Sequence, residues 1–444
     1  MRLASLSIAL ILAGCGSGSS NSDEEFIIKS EPPPPSFSWE VVEPSSEGVD
    51  GEKLNKALDY AFDERFNTQA VLVSRNGKII AENYSGISGS TIEGLSQVFS
   101  EVQGWGSDLT KLDYEERFGA RDQFSLVTSW STAKSVSATL IGIAIKEGFI
   151  ESVEQPVSEY LPAWSNTDKE NTVSIKDLLQ MKSRLACPPG PNGGAIYFDE
   201  NQLQASTGRN FRSITDEDPW LYCNADSMLL GEIILNASGH NISEFGDRYL
   251  FSKLDMQVDW WRDSSDNYLA YCCIDTTTRD FARFGLFWLN DGIWNEERLI
   301  NQSYIQETLS SSATAFEQEN LGYGYQWYVQ SVFEDDEGKA EAQSYGTKGY
   351  HLNNIWIFPE LELLVVRNSL YRRVLEVTDD TVRTGDLTAM LQGENIPVNV
   401  HHTLQQGNAI NVNGIWYPYN SERGIEFLQE SKFIRLILTS IDQT

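Results

Sequence analysis

A serine and a lysine three residues apart open a long apolar stretch of the chain. Ser131-Thr132-Ala133-Lys134 begins a run with apolar residues at helical spacing as far as Phe149. Positions i and i+3 share one face of a helix, so we expect Lys134 to lie beside Ser131. A serine hydroxyl needs a base within hydrogen-bond reach, and a lysine stripped of water by apolar neighbours loses basicity and can accept a proton. The pair therefore predicts a serine nucleophile, with helix N-terminal N–H groups facing a developing oxyanion.

A tyrosine and an asparagine form the second candidate motif. Tyr222-Cys223-Asn224 precedes a segment with helical spacing over 225–237. A tyrosine beside a cationic lysine is driven toward phenolate and can then move protons between nucleophile and leaving group. The Asn224 amide offers a donor and an acceptor to a substrate. The alternative interpretation is that Tyr222 only packs and Asn224 caps the helix.

The third candidate motif is residues 346–351 (GTKGYH), followed by predicted strands at 354–358 and 363–367. A glycine in a strand lets the backbone of a ligand approach closely, so Gly349 and Tyr350 are predicted to contact substrate. The alternative is that this segment is only a turn at the entry of a strand.

Composition excludes several classes of protein. The 444 residues carry a net charge of −31, with a pI near 4.4, which rules out the basic surface of a nucleic-acid binder. The chain has four histidines and no C-x-x-C pair, so we predict no metal site and no cofactor. A small-molecule or peptide substrate is the expected partner.

The order of predicted elements indicates an α+β fold. An Asn76-Gly77 hairpin follows a helix near 53–66, helices dominate the middle, and strands return at 323–330, 354–358 and 363–367 before a final helix at 425–441. A capping box is predicted at Thr277 and Asp280. We therefore expect an antiparallel sheet flanked by helices and built from both chain ends (39–130 and 300–444), with an inserted all-helical domain at 131–299.

The three motifs together, in this order, resemble the serine β-lactamase and penicillin-binding-protein superfamily. The closer resemblance is to its class C-like branch, which includes D-alanyl-D-alanine carboxypeptidases, β-lactamase-fold esterases and 6-aminohexanoate-dimer hydrolases. The resemblance to this branch runs from about Trp39 to Arg367. Less specific segments that also match it include 178–183 (LLQMKS), 279–285 (RDFARFG) and 356–362 (WIFPELE).

This resemblance implies roles for individual residues. Ser131 would be the acylated nucleophile and Lys134 its activating partner. Tyr222 would be general base and acid, and Asn224 a substrate contact. The oxyanion hole would use the backbone N–H groups of Ser131 and Tyr350.

Two departures from the family pattern bear on the substrate. Thr347 occupies the position where Lys or His usually begins the third motif, and Arg184 replaces the glycine of the usual Ser-Gly-Leu. The neighbouring Lys348 should point away from the cleft, because side chains alternate faces in a strand. The acyl donor stays open between a β-lactam, a peptide, a linear amide and an ester.

The N-terminus resembles that of bacterial lipoproteins. A short apolar run, Ala4 to Ala13, ends in Leu12-Ala13-Gly14-Cys15, which resembles a lipobox. We therefore expect a signal peptide at 1–14, a lipid anchor on Cys15, a disordered tether at 15–38, and attachment to the bacterial cell envelope, at the outer membrane. A plain secretory signal is the alternative.

An exported chain meets an oxidising compartment, so the other four cysteines, Cys187, Cys223, Cys272 and Cys273, indicate disulfides. Three connectivities are open, and Cys187–Cys223 is the first choice because both flank motifs that line the cleft in the resembled family.

Three other functions remain as alternatives. A catalytically silent, surface-anchored binding protein would share the same fold. A Ser-His-Asp hydrolase is disfavoured because the chain has no G-x-S-x-G and only His351 lies near a motif. A binding lipoprotein of another fold is the third.

Overall fold

The structure is a computed structural model that describes residues 37–63, 66, 68–86, 119–189, 191–213, 220–310, 313–316, 321–369, 409–412, 415–418 and 428–441. The described strands are β1 (Thr68–Arg75), β2 (Lys78–Tyr84), β3 (Leu126–Thr128), β4 (Asp259–Trp260), β5 (Ile274–Thr277), β6 (Ile293–Trp294), β7 (Glu297–Arg298), β8 (Ala313–Phe316), β9 (Leu321–Tyr323), β10 (Tyr328–Asp335), β11 (Gly338–Thr347), β12 (Asn354–Phe358), β13 (Leu363–Ser369), β14 (Ala409–Val412) and β15 (Ile415–Pro418). The described α-helices are α1 (Gly51–Ala61), α2 (Thr132–Lys146), α3 (Ile175–Leu179), α4 (Gln202–Thr207), α5 (Asn224–Ser238), α6 (Ile242–Gly246), α7 (Thr278–Leu289), α8 (Gln302–Leu309) and α9 (Glu430–Leu438).

An antiparallel sheet combines strands from both ends of the chain. Its order among the described strands is β2-β1-β13-β12-β11-β10-β9-β8. The β1–β2 connection is the predicted hairpin: Asn76 and Gly77 both have positive φ (52° and 75°), as a type I′ turn requires. The predicted α+β class, with an antiparallel sheet assembled from both chain ends, is confirmed. The inserted domain at 131–299 is not all-helical as predicted, because it also contains β4, β5, β6 and β7.

The two faces of the sheet cover separate hydrophobic cores. Val71 and Val73 of β1 pack with α1 and α9, whereas Leu72, between them, faces the core that contains α7 and the helical middle of the chain. This alternation follows from the two-residue period of a strand. Helix α2 lies inside the second core and is buried on every side from Thr132 to Ala144.

Hydrogen bonds from the buried polar side chains of α2 fix its position. Ser135 Oγ donates to Gln326 O at 2.6 Å, and Ser137 Oγ donates to Ala270 O at 2.5 Å. Buried hydroxyls need such partners. The helix that begins beside Ser131 is therefore held both by apolar packing and by polar contacts with distant loops.

Several sequence predictions are corrected. The single strand predicted at 323–330 is wrong: β9 ends at Tyr323, a turn follows, and Tyr328 of β10 pairs back on Tyr323. Gly324 permits this turn, because a Cβ there would lie 1.7 Å from Thr308 O. Helix α7, predicted in the helical domain, packs on β12 and β13.

Two local predictions also change. Thr277 caps α7, but Asp280 does not complete a capping box, since its carboxylate accepts from Thr276 Oγ1 and pairs with Arg283. Phe37, predicted in the tether, packs against Trp39 and Trp294 and donates from its N–H to Asp255. The other limits of the predicted domains stay predictions; the signal peptide and Cys15 lie outside the described residues.

Candidate active site

Ser131 lies on a sharp turn between a strand and a helix. β3 leads through Ser129 and Trp130 into Ser131, the N-cap residue of α2. Ser129 ties this turn to β5, because its N–H donates to Ile274 O and its Oγ accepts from Ile274 N, both at 2.8 Å. Trp130 is buried with a φ of 48°, a conformation that costs energy and is common at active sites. Among the described residues, the Ser131 N–H donates to none of the backbone carbonyls of the turns and loops, and it lies at the start of α2, where N–H groups have no partner within the helix.

Lys134 lies directly against Ser131, as the helical spacing predicted. Its Nζ is 2.9 Å from Ser131 Oγ, 2.8 Å from Asn224 Oδ1 and 2.9 Å from Tyr271 O. The residue is only 2% exposed, and this burial lowers the pKa of Lys134 well below its usual value.

The three partners of Lys134 fit a neutral amine. Asn224 Oδ1 and Tyr271 O are acceptors only, so they take the two N–H groups of a neutral lysine. The remaining lone pair can accept the Ser131 hydroxyl proton. The arrangement therefore suits lysine as the base.

Tyr222 also lies against Ser131. Its hydroxyl shares hydrogen bonds with the side chains of Ser131 and Tyr328, and Lys134 Nζ is 5.0 Å from its ring centroid. Burial raises the pKa of Tyr222 to about 12. The expected phenolate beside a cationic lysine is thus wrong for this site, because burial favours the neutral form of both groups.

Asn224 is placed by the start of α5. Asn224 is buried, and its Oδ1 accepts a hydrogen bond from Lys134 Nζ. In this structure the Asn224 side chain therefore contacts the lysine. Asp226, one half-turn along, forms a buried ion pair with Arg209 at 2.8 Å and accepts from Ser183 Oγ at 2.9 Å. These contacts fix the helix end that carries Tyr222 and Asn224.

The predicted Cys187–Cys223 disulfide is present, with the Cα atoms 5.8 Å apart. It anchors the residue between Tyr222 and Asn224 to the loop after α3. The sulfurs of the adjacent Cys272 and Cys273 also lie within bonding distance, which selects one of the three connectivities.

The third motif runs beside α2. Thr347 Oγ1 is 2.8 Å from Thr132 Oγ1, and Thr132 Oγ1 also donates to Asn353 O at 2.7 Å. Lys348 lies on the other face of the strand, where Glu430 of α9 pairs with its Nζ at 2.6 Å. Glu430 also accepts from Trp356 Nε1 at 2.7 Å, so the Lys348 charge is neutralised by the C-terminal helix.

Gly349 and Tyr350 occupy different surroundings from each other. A Cβ on Gly349 would lie 2.4 Å from Ser129 O, and its N–H donates to Asn354 Oδ1, so the glycine serves the approach of the chain to itself. The predicted contact of Gly349 with substrate stays a prediction. The Tyr350 ring stacks edge-on against Trp130, beside Ser131.

Arg184 and His351 both have left-handed backbones, with φ of 63° and 64°. This explains why glycine is usual at position 184. Arg184 is exposed, and the His351 ring lies 4.3 Å from that of Tyr350. Among the described residues, the side-chain partners of Ser131 are Lys134 and Tyr222.

Sequence reasoning missed several residues around Ser131. Tyr271 supplies a carbonyl to Lys134, and Tyr328 a hydroxyl to Tyr222. Tyr197 connects Trp130 to Tyr271 through edge-to-face contacts, which forms an aromatic wall. No spacing signal could reveal them, because each reaches the site from a remote segment.

Two features are absent from the described ranges. There, no group of three or more His, Cys, Asp or Glu side chains is placed to hold a metal ion. In the same ranges, no helix has both the length and the apolar character needed to cross a membrane.

Comparison with known proteins places this site in a family. The beta-lactamase family model matches residues 55–374. A 6-aminohexanoate-dimer hydrolase from Paenarthrobacter ureafaciens is 24% identical over 294 residues, which is 60% of this chain and 70% of the relative.

Solved structures share the fold. A D-stereospecific amidohydrolase from Streptomyces sp. has a TM-score of 0.51 at 14% identity, over 72% of this chain and 94% of that one. A class C beta-lactamase from Rhodobacter sphaeroides has a TM-score of 0.50 at 16% identity, over 72% and 95%. The family model spans most of the chain and contains all three motifs around Ser131, so this protein belongs to the beta-lactamase family.

Proposed function

We propose that this protein is a serine hydrolase that forms an acyl-enzyme on Ser131 and cleaves an amide or ester. One observation carries the proposal: the Lys134 amine is buried against Ser131 Oγ, and its two other neighbours are carbonyl oxygens rather than carboxylates. A neutral lysine at that distance has the geometry and the lowered pKa that a general base requires.

The proposed reaction uses the hydrogen-bonded groups in sequence. Ser131 Oγ bonds to the substrate carbonyl carbon while its proton passes to Lys134 Nζ. The oxyanion accepts from the N–H groups of Ser131 and Tyr350. Tyr222 protonates the leaving nitrogen or oxygen as its bond to carbon breaks, and Lys134 then returns a proton to Tyr222. Water attacks the acyl-enzyme in the second half, and its proton restores Ser131 through the same pair.

The substrate class follows from the charges around the third motif. Thr347 supplies no cation, and Lys348 is paired with Glu430 on the opposite face of β11. Loss of one charge-assisted contact costs about 1.5–3 kcal/mol, or about 10- to 100-fold in affinity. We therefore infer a preference for uncharged amides and esters over substrates with a free carboxylate, such as penicillins or D-Ala-D-Ala peptides. The names of a 6-aminohexanoate-dimer hydrolase and of an amidohydrolase support an amide as the bond that is cleaved, and they do not bear on the charge of the substrate.

Covalent labelling tests the nucleophile. A fluorophosphonate probe should add one label, on the peptide that contains Ser131, and Ser131→Ala should abolish it. Ser137→Ala removes another hydroxyl of the same helix and is the matched control. Lys134→Ala and Tyr222→Phe should each lower kcat by about 10²-fold or more. A folded wild type that takes no label and turns over no ester or amide would be the silent binding protein instead.

A charge comparison tests the substrate class. We expect kcat/KM for a methyl ester or linear amide to exceed that for the matching free acid. Arg184 is exposed and is the cation that could replace the missing lysine. A preference for the free acid that disappears in Arg184→Ala would contradict our inference.

We also propose that the chain is anchored to the cell envelope through a lipid on Cys15, supported by the lipobox-like residues 12–15. Cys15→Ser should move the protein from the membrane fraction to the soluble fraction. Unchanged fractionation would contradict the anchor.

A further inference from the structure

A strained turn carries Tyr350. The turn closes when Gly349 and Asn353 exchange two backbone hydrogen bonds, each of 3.2 Å. His351 and Leu352 at its tip are consecutive non-glycine residues with left-handed backbones, with φ of 64° and 61°. Side chains disfavour this conformation, so surrounding contacts must hold it.

The base of this turn is tied to the start of α2. Thr132 Oγ1 donates to Asn353 O at 2.7 Å, and Gly349 lies close against Ser129 O. Asn353 Nδ2 donates to Tyr350 O at 2.5 Å. The Tyr350 backbone is therefore held beside the Ser131 turn, but these contacts do not reach the tip.

The tip is held by Arg367 of β13. Its Nη1 donates to His351 O at 2.7 Å and to Leu352 O at 3.2 Å. Its Nε and Nη2 donate to Thr68 Oγ1 at 3.1 and 2.8 Å, and Nη2 also donates to Phe66 O at 3.1 Å.

Arg367 is a buried cation with an unusual set of partners. It is 1% exposed, and none of its partners in the described part of the chain is a carboxylate. Burying a charge without a countercharge is costly. The cost is offset only by the oxygens that the planar guanidinium binds at fixed angles, which a lysine cannot reproduce.

We infer that Arg367 is a positioning residue for the oxyanion hole: it fixes the His351–Leu352 tip and thereby keeps the Tyr350 N–H directed at the acyl carbonyl bound on Ser131. This inference rests on the proposed function. Ser369 supports the same tip, since its Oγ donates to His351 O at 2.5 Å and its N–H donates to Asn353 Oδ1 at 2.9 Å.

Matched variants test the role. Arg367→Met and Arg367→Lys should lower kcat by about 10- to 100-fold while KM changes by less than about threefold, because a misplaced oxyanion donor weakens the transition state more than the ground state. Arg435→Met removes another buried arginine, which lies on α9 and pairs with Asp335 and Glu337. This variant should lower the melting temperature while kcat stays near that of the wild type.

A milder variant keeps the test decisive if the Arg367 variants do not fold. Ser369→Ala should lower kcat in the same direction by a smaller factor, and should weaken a boronate transition-state analogue more than it raises KM. Normal kcat and boronate affinity in folded Arg367→Lys and Ser369→Ala would overturn the inference. Failure of the proposed function is separate, since it would appear as absent Ser131 labelling in the wild type.

Discussion

Replacing Asn224 with aspartate tests whether Lys134 works as a neutral base. The two side chains have the same shape, so Asn224→Asp places a negative charge about where Oδ1 now lies, 2.8 Å from Lys134 Nζ. Two unit charges at that distance attract by about 6 kcal/mol at an effective dielectric constant of about 20. Burying the new carboxylate costs part of this energy.

The expected result is a large loss at neutral pH that is recovered at high pH. The added charge favours the ammonium, which raises the pKa of Lys134 and removes the base. We expect kcat/KM near neutral pH to fall by between about 10² and 10⁴-fold. Raising the pH deprotonates Lys134 again, so the rate should climb toward that of the wild type.

A pH series of kcat/KM for one uncharged ester is the assay. Asn236→Asp is the control, since it adds the same charge to an exposed position near the other end of α5. If Asn224 acted only as a substrate contact, the loss would be the same at every pH. An Asn224→Asp profile that coincides with the wild type would refute Lys134 as the neutral base.

Three further predictions follow from the same geometry. In the wild type, kcat/KM should be at its maximum above the lowered pKa of Lys134 and should fall as the pH drops through that pKa. Loss of the Tyr222 proton should lower kcat/KM only near the Tyr222 pKa of about 12, and a pH–rate profile checks both limits. Tyr328→Phe should lower kcat about tenfold in the wild type but have no effect in the Tyr222→Phe background, because Tyr328 acts through the Tyr222 hydroxyl. Tyr345→Phe is the control, since the Tyr345 hydroxyl donates to Trp288 O. An equal loss of kcat in both backgrounds would contradict an action of Tyr328 through Tyr222. Non-reducing peptide mapping should recover Cys187 joined to Cys223, and free thiols at both positions would contradict the pairing.

Interactions between residues close in the sequence could be predicted from the sequence alone. The i, i+3 geometry of a helix places Lys134 beside Ser131 whatever the rest of the chain does. The Asn76-Gly77 turn likewise follows from the ability of those two residues to adopt positive φ. The third motif could be recognised from its residue types. The alternation of side chains along a strand predicted that Thr347 and Lys348 face opposite sides, as their partners show.

The protonation states and charge partners of these residues depend on the tertiary structure. Burial lowers the pKa of Lys134 and so favours its neutral form. The two carbonyl oxygens that accept from its Nζ bring no countercharge, and both come from segments about 90 residues or more away in the chain. The same burial reverses the expected phenolate at Tyr222. Two other contacts also come from remote segments. Glu430 neutralises the charge of Lys348, and Arg367 holds the turn that carries Tyr350. A sequence pattern reports which neighbours share a helix or a strand, but pKa values and charge pairing depend on which distant segments exclude water from the site.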